Sequence, residues 1–264
     1  MQQPLIIGHR GASAFKPENT IPAFERALYS GADGVEFDVR LARDGVPVII
    51  HDADLKRTAG RTERISELSS DQLAQVDVGT WFNLKFPALA APENATAQLP
   101  TLRTVFELFR QSRALLYVEL KCSVGEITPL VSAVVDLIDE FSIRDNVIVE
   151  CFDLEAILRI KQLDNSIKTA ALFEPQLSLD IFSAKRIVSL ALASKANQVA
   201  LHHSLVTASR VRRAFNEGLE TIVWTVDKPR WVQRALDLGI VALITNNPAK
   251  MVELRNELYR NLPP

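Results

Sequence analysis

The chain has 264 residues, 47% of them hydrophobic and 23% charged, with a formal net charge of −2. Those proportions exclude a disordered or fibrous chain, and the absence of a basic surplus argues against nucleic acid as a partner while leaving room for a small anionic ligand. A length of this order suits one large core, so a single domain over 1–264 is expected. Two cysteines, Cys122 and Cys151, are too few to staple a secreted scaffold. The first ten residues lack the basic segment and long apolar run of a leader, and no stretch approaches the roughly 20 apolar residues that span a bilayer. A cytoplasmic protein with no stable membrane insertion is therefore expected.

In chain order, short β-branched runs alternate with amphipathic stretches, the pattern of βα units around a parallel sheet. Strands are expected at Leu5 to Gly8, Gly34 to Val39, Leu115 to Leu120, Val147 to Cys151, Lys168 to Phe173, Gln198 to His202, Thr221 to Val226 and Val241 to Thr245. Helical spacing covers Thr20 to Ser30, Thr101 to Ser112, Ile127 to Phe141, Leu154 to Asp164, Ser183 to Ser194, Thr207 to Glu217, Pro229 to Leu238 and Pro248 to Tyr259. Thr207 suits an N-cap, Gly218 and Gly239 suit the residue after a helix, and Pro229 and Pro248 suit a first turn. Eight such pairs predict an α/β fold of (β/α)8 TIM-barrel type. An open doubly wound sheet is the alternative, but it would leave two edges to protect.

Val46 to Ile50 breaks the rhythm. It reads as a strand, yet only Arg43, Asp44 and Gly45 separate it from the strand before, and Asp-Gly signals a tight hairpin. The long stretch from Asp52 to Pro100 follows, read as an insertion with a short helix near Ser70 to Val76. Unstructured loops of such length are uncommon unless they cover a site.

In a closed barrel the active site lies at the C-terminal strand ends. Polar residues collect there: His9 and Arg10, Glu36 and Asp38, His51 and Asp52, Glu119 and Lys121, Trp224 and Asp227, Thr245 and Asn246. Residues two apart on a strand share a face, so Glu36 and Asp38 point one way and their apolar neighbours the other; Glu119 and Lys121 repeat this. Converging carboxylates repel unless a cation neutralises them, which favours a hard divalent ion, Mg2+ or Ca2+, on Glu36, Asp38 and Glu119. The competing reading is a plain solvated strand face. Zinc fits less well, since neither cysteine sits in a ligand pair. His9 and His51 flank this set and suit proton transfer near neutral pH. His202 is more simply structural, with a place beside the site as the second reading, and His203 a surface residue. Trp224 suits a pocket wall, and Cys122 and Cys151, on neighbouring strand ends, are most simply core residues.

The run Gly8-His9-Arg10-Gly11-Ala12, then Pro17-Glu18-Asn19-Thr20, Glu36-Phe37-Asp38-Val39 and His51-Asp52, resembles the glycerophosphodiester phosphodiesterase family. Glu119-Leu120-Lys121, Trp224-Thr225-Val226 and Ile244-Thr245-Asn246 extend the likeness along nearly the whole chain. The resemblance implies metal-dependent hydrolysis of a glycerophosphodiester to glycerol 3-phosphate and an alcohol. His9 and His51 would be the acid/base pair and Glu36, Asp38 and Glu119 the metal ligands. Arg10 and Lys121 would contact the phosphate, and Trp224 would line the pocket. Asp227 stands where the family commonly has Asn, and Asn246-Asn247 where Asp is frequent; these departures are expected to touch only the substrate pocket. Asn19 or Thr20 is read first as the cap of the first helix and Glu18 as a surface carboxylate, with a hydrogen bond from Glu18 to Arg10 or a metal-bound water as the second reading.

Two other functions remain open: a related barrel phosphodiesterase acting on lysophospholipids or phosphoinositides, for which Phe82, Leu84 and Phe86 would offer an apolar ramp, and a non-catalytic barrel binding glycerol-phosphate groups. The sequence assigns no oligomeric state.

Overall fold

The computed structural model describes residues 3–175 and 183–260. Nine strands are present among them: β1 Leu5–His9, β2 Gly34–Leu41, β3 Pro47–Ile49, β4 Leu115–Leu120, β5 Val147–Cys151, β6 Lys168–Phe173, β7 Gln198–His202, β8 Glu220–Trp224 and β9 Ala242–Thr245. All but β3 are parallel to their neighbours. The sheet runs β1-β9-β8-β7-β6-β5-β4-β2 and closes through β1–β2 pairing, so eight strands form the barrel; β3 lies antiparallel outside β2. Each barrel strand is followed by a helix, the longest being Ile127–Phe141 and Pro248–Arg260.

Strand alternation sorts the side chains into two cores. One set points inward, where Ile7, Tyr117, Ile148, Ala170, Ala200, Ile222 and Ala242 plug the barrel. The other, including Val35, Phe37, Val39, Leu116 and Val118, packs against the helices. Burial of this outer apolar face is what commits the alternate residues to the interior. At the base of β2, Gly34 lies so close to β4 that a Cβ would stand 2.1 Å from Leu115 O, and only glycine permits that approach.

Helix ends follow the sequence. Thr207 Oγ1 accepts from Arg210 N at 3.2 Å to cap Ala208–Asn216. Gly239 closes Arg230–Leu238 in the left-handed region, with φ 73°. The Asp44-Gly45 hairpin forms as expected, with Gly45 at φ 80° and Ala42 N donating to Val46 O.

The insertion has more regular structure than its composition suggests. Lys56–Ala59, Ser70–Leu73, Thr80–Lys85 and Pro92–Ala95 are short helices. They gather around Leu55, Ile65, Leu73, Val76 and Val78, which with Val48 and Ile50 of the hairpin form a third small core. Phe82 is fully buried, so of the expected apolar ramp only Leu84 and Phe86 are exposed. No helix among the described residues is long and apolar enough to cross a membrane.

Candidate active site

The inward column continues upward from the plug into polar residues. Register aligns His9 with Glu36 across β1–β2, Asp38 with Glu119 across β2–β4, and Glu119 with Glu150 across β4–β5. Two steps up each strand from an apolar plug residue therefore comes a functional one: Ile7 to His9, Tyr117 to Glu119, Ile148 to Glu150.

Glu36, Asp38 and Glu119 are all buried, and one ligand oxygen from each lies within 4.8 Å of the others. Glu36 Oε1 has no hydrogen-bond partner. Asp38 Oδ1 and Glu119 Oε1 face only the Lys121 ammonium, at 3.3 and 2.5 Å. Burial and then the neighbouring carboxylates hold Glu36 well above the usual carboxylate range and bring Glu119 up to about 7. Burial would raise Asp38 as well, but the Arg10 and Lys121 charges outweigh it and keep it ionised. Unpartnered oxygens converging under mutual repulsion are the signature of a missing countercharge, and this oxygen-only triad can hold a metal ion.

Both imidazoles are held at Nδ1, which leaves Nε2 for chemistry. His9 Nδ1 meets Asn246 Oδ1 at 2.7 Å. The amide is oriented by its Nδ2, which donates to Asp227 Oδ2 at 2.7 Å, so its oxygen must face His9 and accept from an Nδ1–H. His9 Nε2 then stands 3.9 Å from Glu36 Oε2. A fifth of the His9 side chain opens into the cavity, yet burial first and the Arg10 charge second bring its pKa down to about 4. His51 Nδ1 meets Asp52 Oδ1 at 2.7 Å; burial leads in lowering its pKa, with the Asp38 charge acting against it.

A network of charges sets Arg10. Its backbone is left-handed, φ 53°, in a tight turn where Gly11 approaches Ala23 too closely for any Cβ. There Arg10 N donates to Glu36 Oε2 at 2.9 Å, and Nε lies 3.1 Å from Asp38 Oδ2. Glu18 receives Arg10 at 2.7 Å and both terminal nitrogens of Arg57, while Arg57 Nε reaches Asp52 at 2.6 Å. Asn19, also left-handed, donates from Nδ2 to Asp38 Oδ2 at 2.8 Å.

The cavity enclosed here measures about 380 Å3. Trp224 forms part of its wall, braced edge-on by Phe152 and by His202. His203 is exposed.

Of the expected site residues, His9, Arg10, Glu36, His51, Glu119, Lys121 and Trp224 line this cavity; Asp38 is fully buried and is tied to Arg10 and Lys121 of the lining. Three readings of the sequence need correction. Asn246 does touch one of the acid/base pair, His9, and Asp227 holds Asn246 in turn, because the end of β9 abuts β1. The first reading of Glu18 and Asn19 as a plain surface carboxylate and a cap gives way to the second: Thr20 stands at the N-cap, without a side-chain bond, while Glu18 takes the bond with Arg10 and Asn19 reaches Asp38. Glu150 was missed. It is buried, lines the cavity and leaves Oε2 unpartnered. The alternation Ile148, Glu150 on β5 carried the signal, since it repeats Tyr117, Glu119 on β4.

Known proteins resemble this chain in sequence and in fold. A relative from Caldanaerobacter subterraneus, a glycerophosphodiester phosphodiesterase, is 28% identical over 95% of this chain and 97% of its own. One of the same description from Bacillus altitudinis is 28% identical over 96% of this chain and 98% of its own. Among solved structures, an Oleispira antarctica phosphodiesterase in complex with the product sn-glycerol-3-phosphate superposes with a TM-score of 0.85 at 25% identity, covering 96% of this chain and 97% of that one. The family model described as "Glycerophosphoryl diester phosphodiesterase family" matches residues 9–250, more than nine-tenths of the sequence, and the chain belongs to that family.

Proposed function

We propose that this protein hydrolyses glycerophosphodiesters to glycerol 3-phosphate and an alcohol, with a divalent ion, Mg2+ or Ca2+, on Glu36, Asp38 and Glu119. The observation that carries the reading is the convergence of those three buried carboxylates between two imidazoles whose Nδ1 atoms are both engaged. When bound, the ion supplies positive charge to the nonbridging phosphate oxygens.

The chain's own groups do the rest. Arg10 and Lys121, at the cavity edge, attract the phosphodiester anion and stabilise the charge that grows on it during attack. His9, whose Nδ1 partner is a neutral amide, is neutral near pH 7 and takes the proton of the glycerol 2-hydroxyl as that oxygen attacks phosphorus. His51, beside the Asp52 carboxylate, protonates the departing alkoxide. Water then opens the cyclic phosphate with the two roles reversed. Trp224 and Phe152 wall the side on which the organic part of the substrate lies.

A coupled assay for glycerol 3-phosphate release from glycerophosphocholine tests this. The native protein turns over, chelation stops it and metal restores it, and His9→Ala or His51→Ala lowers the rate by about 10² to 10⁴. Turnover surviving exhaustive metal removal sinks the metal assignment, and native rates in either histidine variant sink the acid/base one. A long-chain lysolipid hydrolysed in preference to glycerophosphocholine would favour the lysophospholipid reading instead.

A further inference from the structure

One polar group in the cavity has no part in the chemistry above. Glu150 is 1% exposed and lines the cavity, and its Oε2 has no hydrogen-bond partner among the described residues. It stands outside the metal-ligand set, since only Glu36, Asp38 and Glu119 bring oxygens within 4.8 Å of one another. Nor does Lys121 serve it, because that ammonium goes to Asp38 and Glu119. Register places Glu119 beside it on β4 and only the Ala170 methyl beside it on β6. Two positions on from Ala170, Leu172 lines the cavity, and Trp224 and Ile244 continue that apolar wall on β8 and β9. A buried carboxyl oxygen left open in an apolar wall costs the free protein stability, and a ligand group that bonds to it removes the cost.

We propose that Glu150 recognises the glycerol end of the substrate: its carboxyl bonds the terminal hydroxyl, the one that neither reacts nor carries phosphate, and so excludes phosphodiesters that lack it. The inference rests on the phosphodiesterase reading and names the group by which that site tells glycerol from other alcohols. One half of the cavity, with Arg10, Glu36, His51, Glu119 and Lys121, is charged and takes the ion and the phosphate. The other half, from β5 round to β9, is the apolar wall with Glu150 set into it. Glu174 also lines that half but is exposed, so water already satisfies it.

The attacking and leaving oxygens stand on opposite sides of phosphorus in such a displacement. With the 2-hydroxyl at His9 and the departing alkoxide at His51, the glycerol lies on the His9 side. His9 ends β1, beside β9, where Ile244 belongs to the apolar wall. The glycerol carbons therefore lie along Ile244, Trp224 and Leu172, and the group on them that still needs a partner is the terminal hydroxyl. Glu150 holds the buried oxygen that it meets. A hydroxyl both donates and accepts, so the bond forms whether or not the carboxyl carries a proton. An analogue with hydrogen in place of that hydroxyl leaves Glu150 unpaired beneath a bound ligand, and a site built to bond a substrate hydroxyl rejects the compound without it.

The test compares choline release from glycerophosphocholine and from 2-hydroxypropyl phosphocholine, which keeps the attacking hydroxyl and lacks the terminal one. Native, metal-loaded protein should favour glycerophosphocholine by about 10- to 100-fold in kcat/KM. Glu150→Leu should bring that ratio to about one, whereas Glu150→Gln, whose amide also donates and accepts, should preserve most of it and keep the native Mn2+ affinity. A native ratio near one overturns the proposal whether or not Glu150→Leu folds, and so does a native ratio that survives in Glu150→Leu. A drop of about tenfold or more in Mn2+ affinity in Glu150→Gln would make the residue part of the ion's surroundings and overturn it too. If the native protein releases no choline from either compound, the phosphodiesterase reading fails. Calorimetry with glycerol 3-phosphate and propane-1,2-diol 1-phosphate then still judges Glu150: tighter binding of the first is expected, and equal affinities overturn the proposal.

Discussion

Exchanging Asn246 and Asp227, as the double substitution Asn246→Asp with Asp227→Asn, moves one negative charge without adding any. In the native protein the Asp227 carboxylate stands two hydrogen bonds and one amide group from His9, each bond 2.7 Å long. That is about 7 Å, and the exchange brings the charge to about 4 Å; at an effective dielectric of about 20 the attraction to an imidazolium rises from about 2.4 to about 4 kcal/mol, a gain of just over one pKa unit. His9, held down at about 4 by burial and Arg10, should therefore titrate about one unit higher. The sign follows from its role: a base must be neutral, so a raised pKa moves the acid limb of kcat/KM to higher pH. Imidazole nitrogen shifts followed against pH in metal-free protein, with His9 identified by its loss in His9→Asn, read the change directly. The single variant Asn246→Asp sets two carboxylates face to face, so they share a proton and the shift is smaller. A His9 titration that stays in place or falls in the double variant would refute the relay from Asp227 through Asn246.

Three further outcomes are expected. Glu119 is raised to about 7 without a metal and must lose its proton to ligate one, so Mg2+ or Ca2+ affinity should fall as pH drops through 7, by up to about tenfold per unit, with proton release visible as a buffer-dependent heat in titration calorimetry. Asn19→Asp keeps the left-handed backbone and the side-chain shape but sets a carboxylate where Nδ2 donates to Asp38; a loss of about 1 to 3 kcal/mol in denaturant unfolding is expected, along with weaker metal binding. Gly34→Ala puts a Cβ 2.1 Å from Leu115 O and must part β2 from β4, costing about 2 to 3 kcal/mol or roughly 5 to 10 °C in Tm, measured by circular dichroism.

The barrel was legible because its signals are local and repeated. β4, β5, β6 and β7 begin and end where period-two apolar runs do, and Gly218 and Gly239 mark helix ends by backbone need alone. The triad was legible for the same reason: on Val35 to Val39 the apolar residues must meet the helices, which leaves Glu36 and Asp38 no other direction. What escaped was second-layer geometry. Asn246 reaches His9 across 237 positions of sequence, through the closure of β9 against β1, and no pattern near either residue encodes that approach. Asn19 looked like a helix cap because such residues cap helices, and Glu18 like a surface carboxylate; with Arg10 and Asn19 both left-handed, Asn19 meets Asp38 and Glu18 meets Arg10 instead. The insertion was harder still, since its core is assembled from residues as far apart as Ala42 and Leu99, with no common period.

The claim on which all the chemistry depends is that Glu36, Asp38 and Glu119 share one cation. Crystals soaked in Mn2+, a stand-in with anomalous signal, address it without reference to activity. One strong anomalous peak at about 2.1 to 2.4 Å from a carboxylate oxygen of each residue is expected, lost in Glu119→Gln. A peak elsewhere, or none at saturating Mn2+ with the triad ordered, would contradict it.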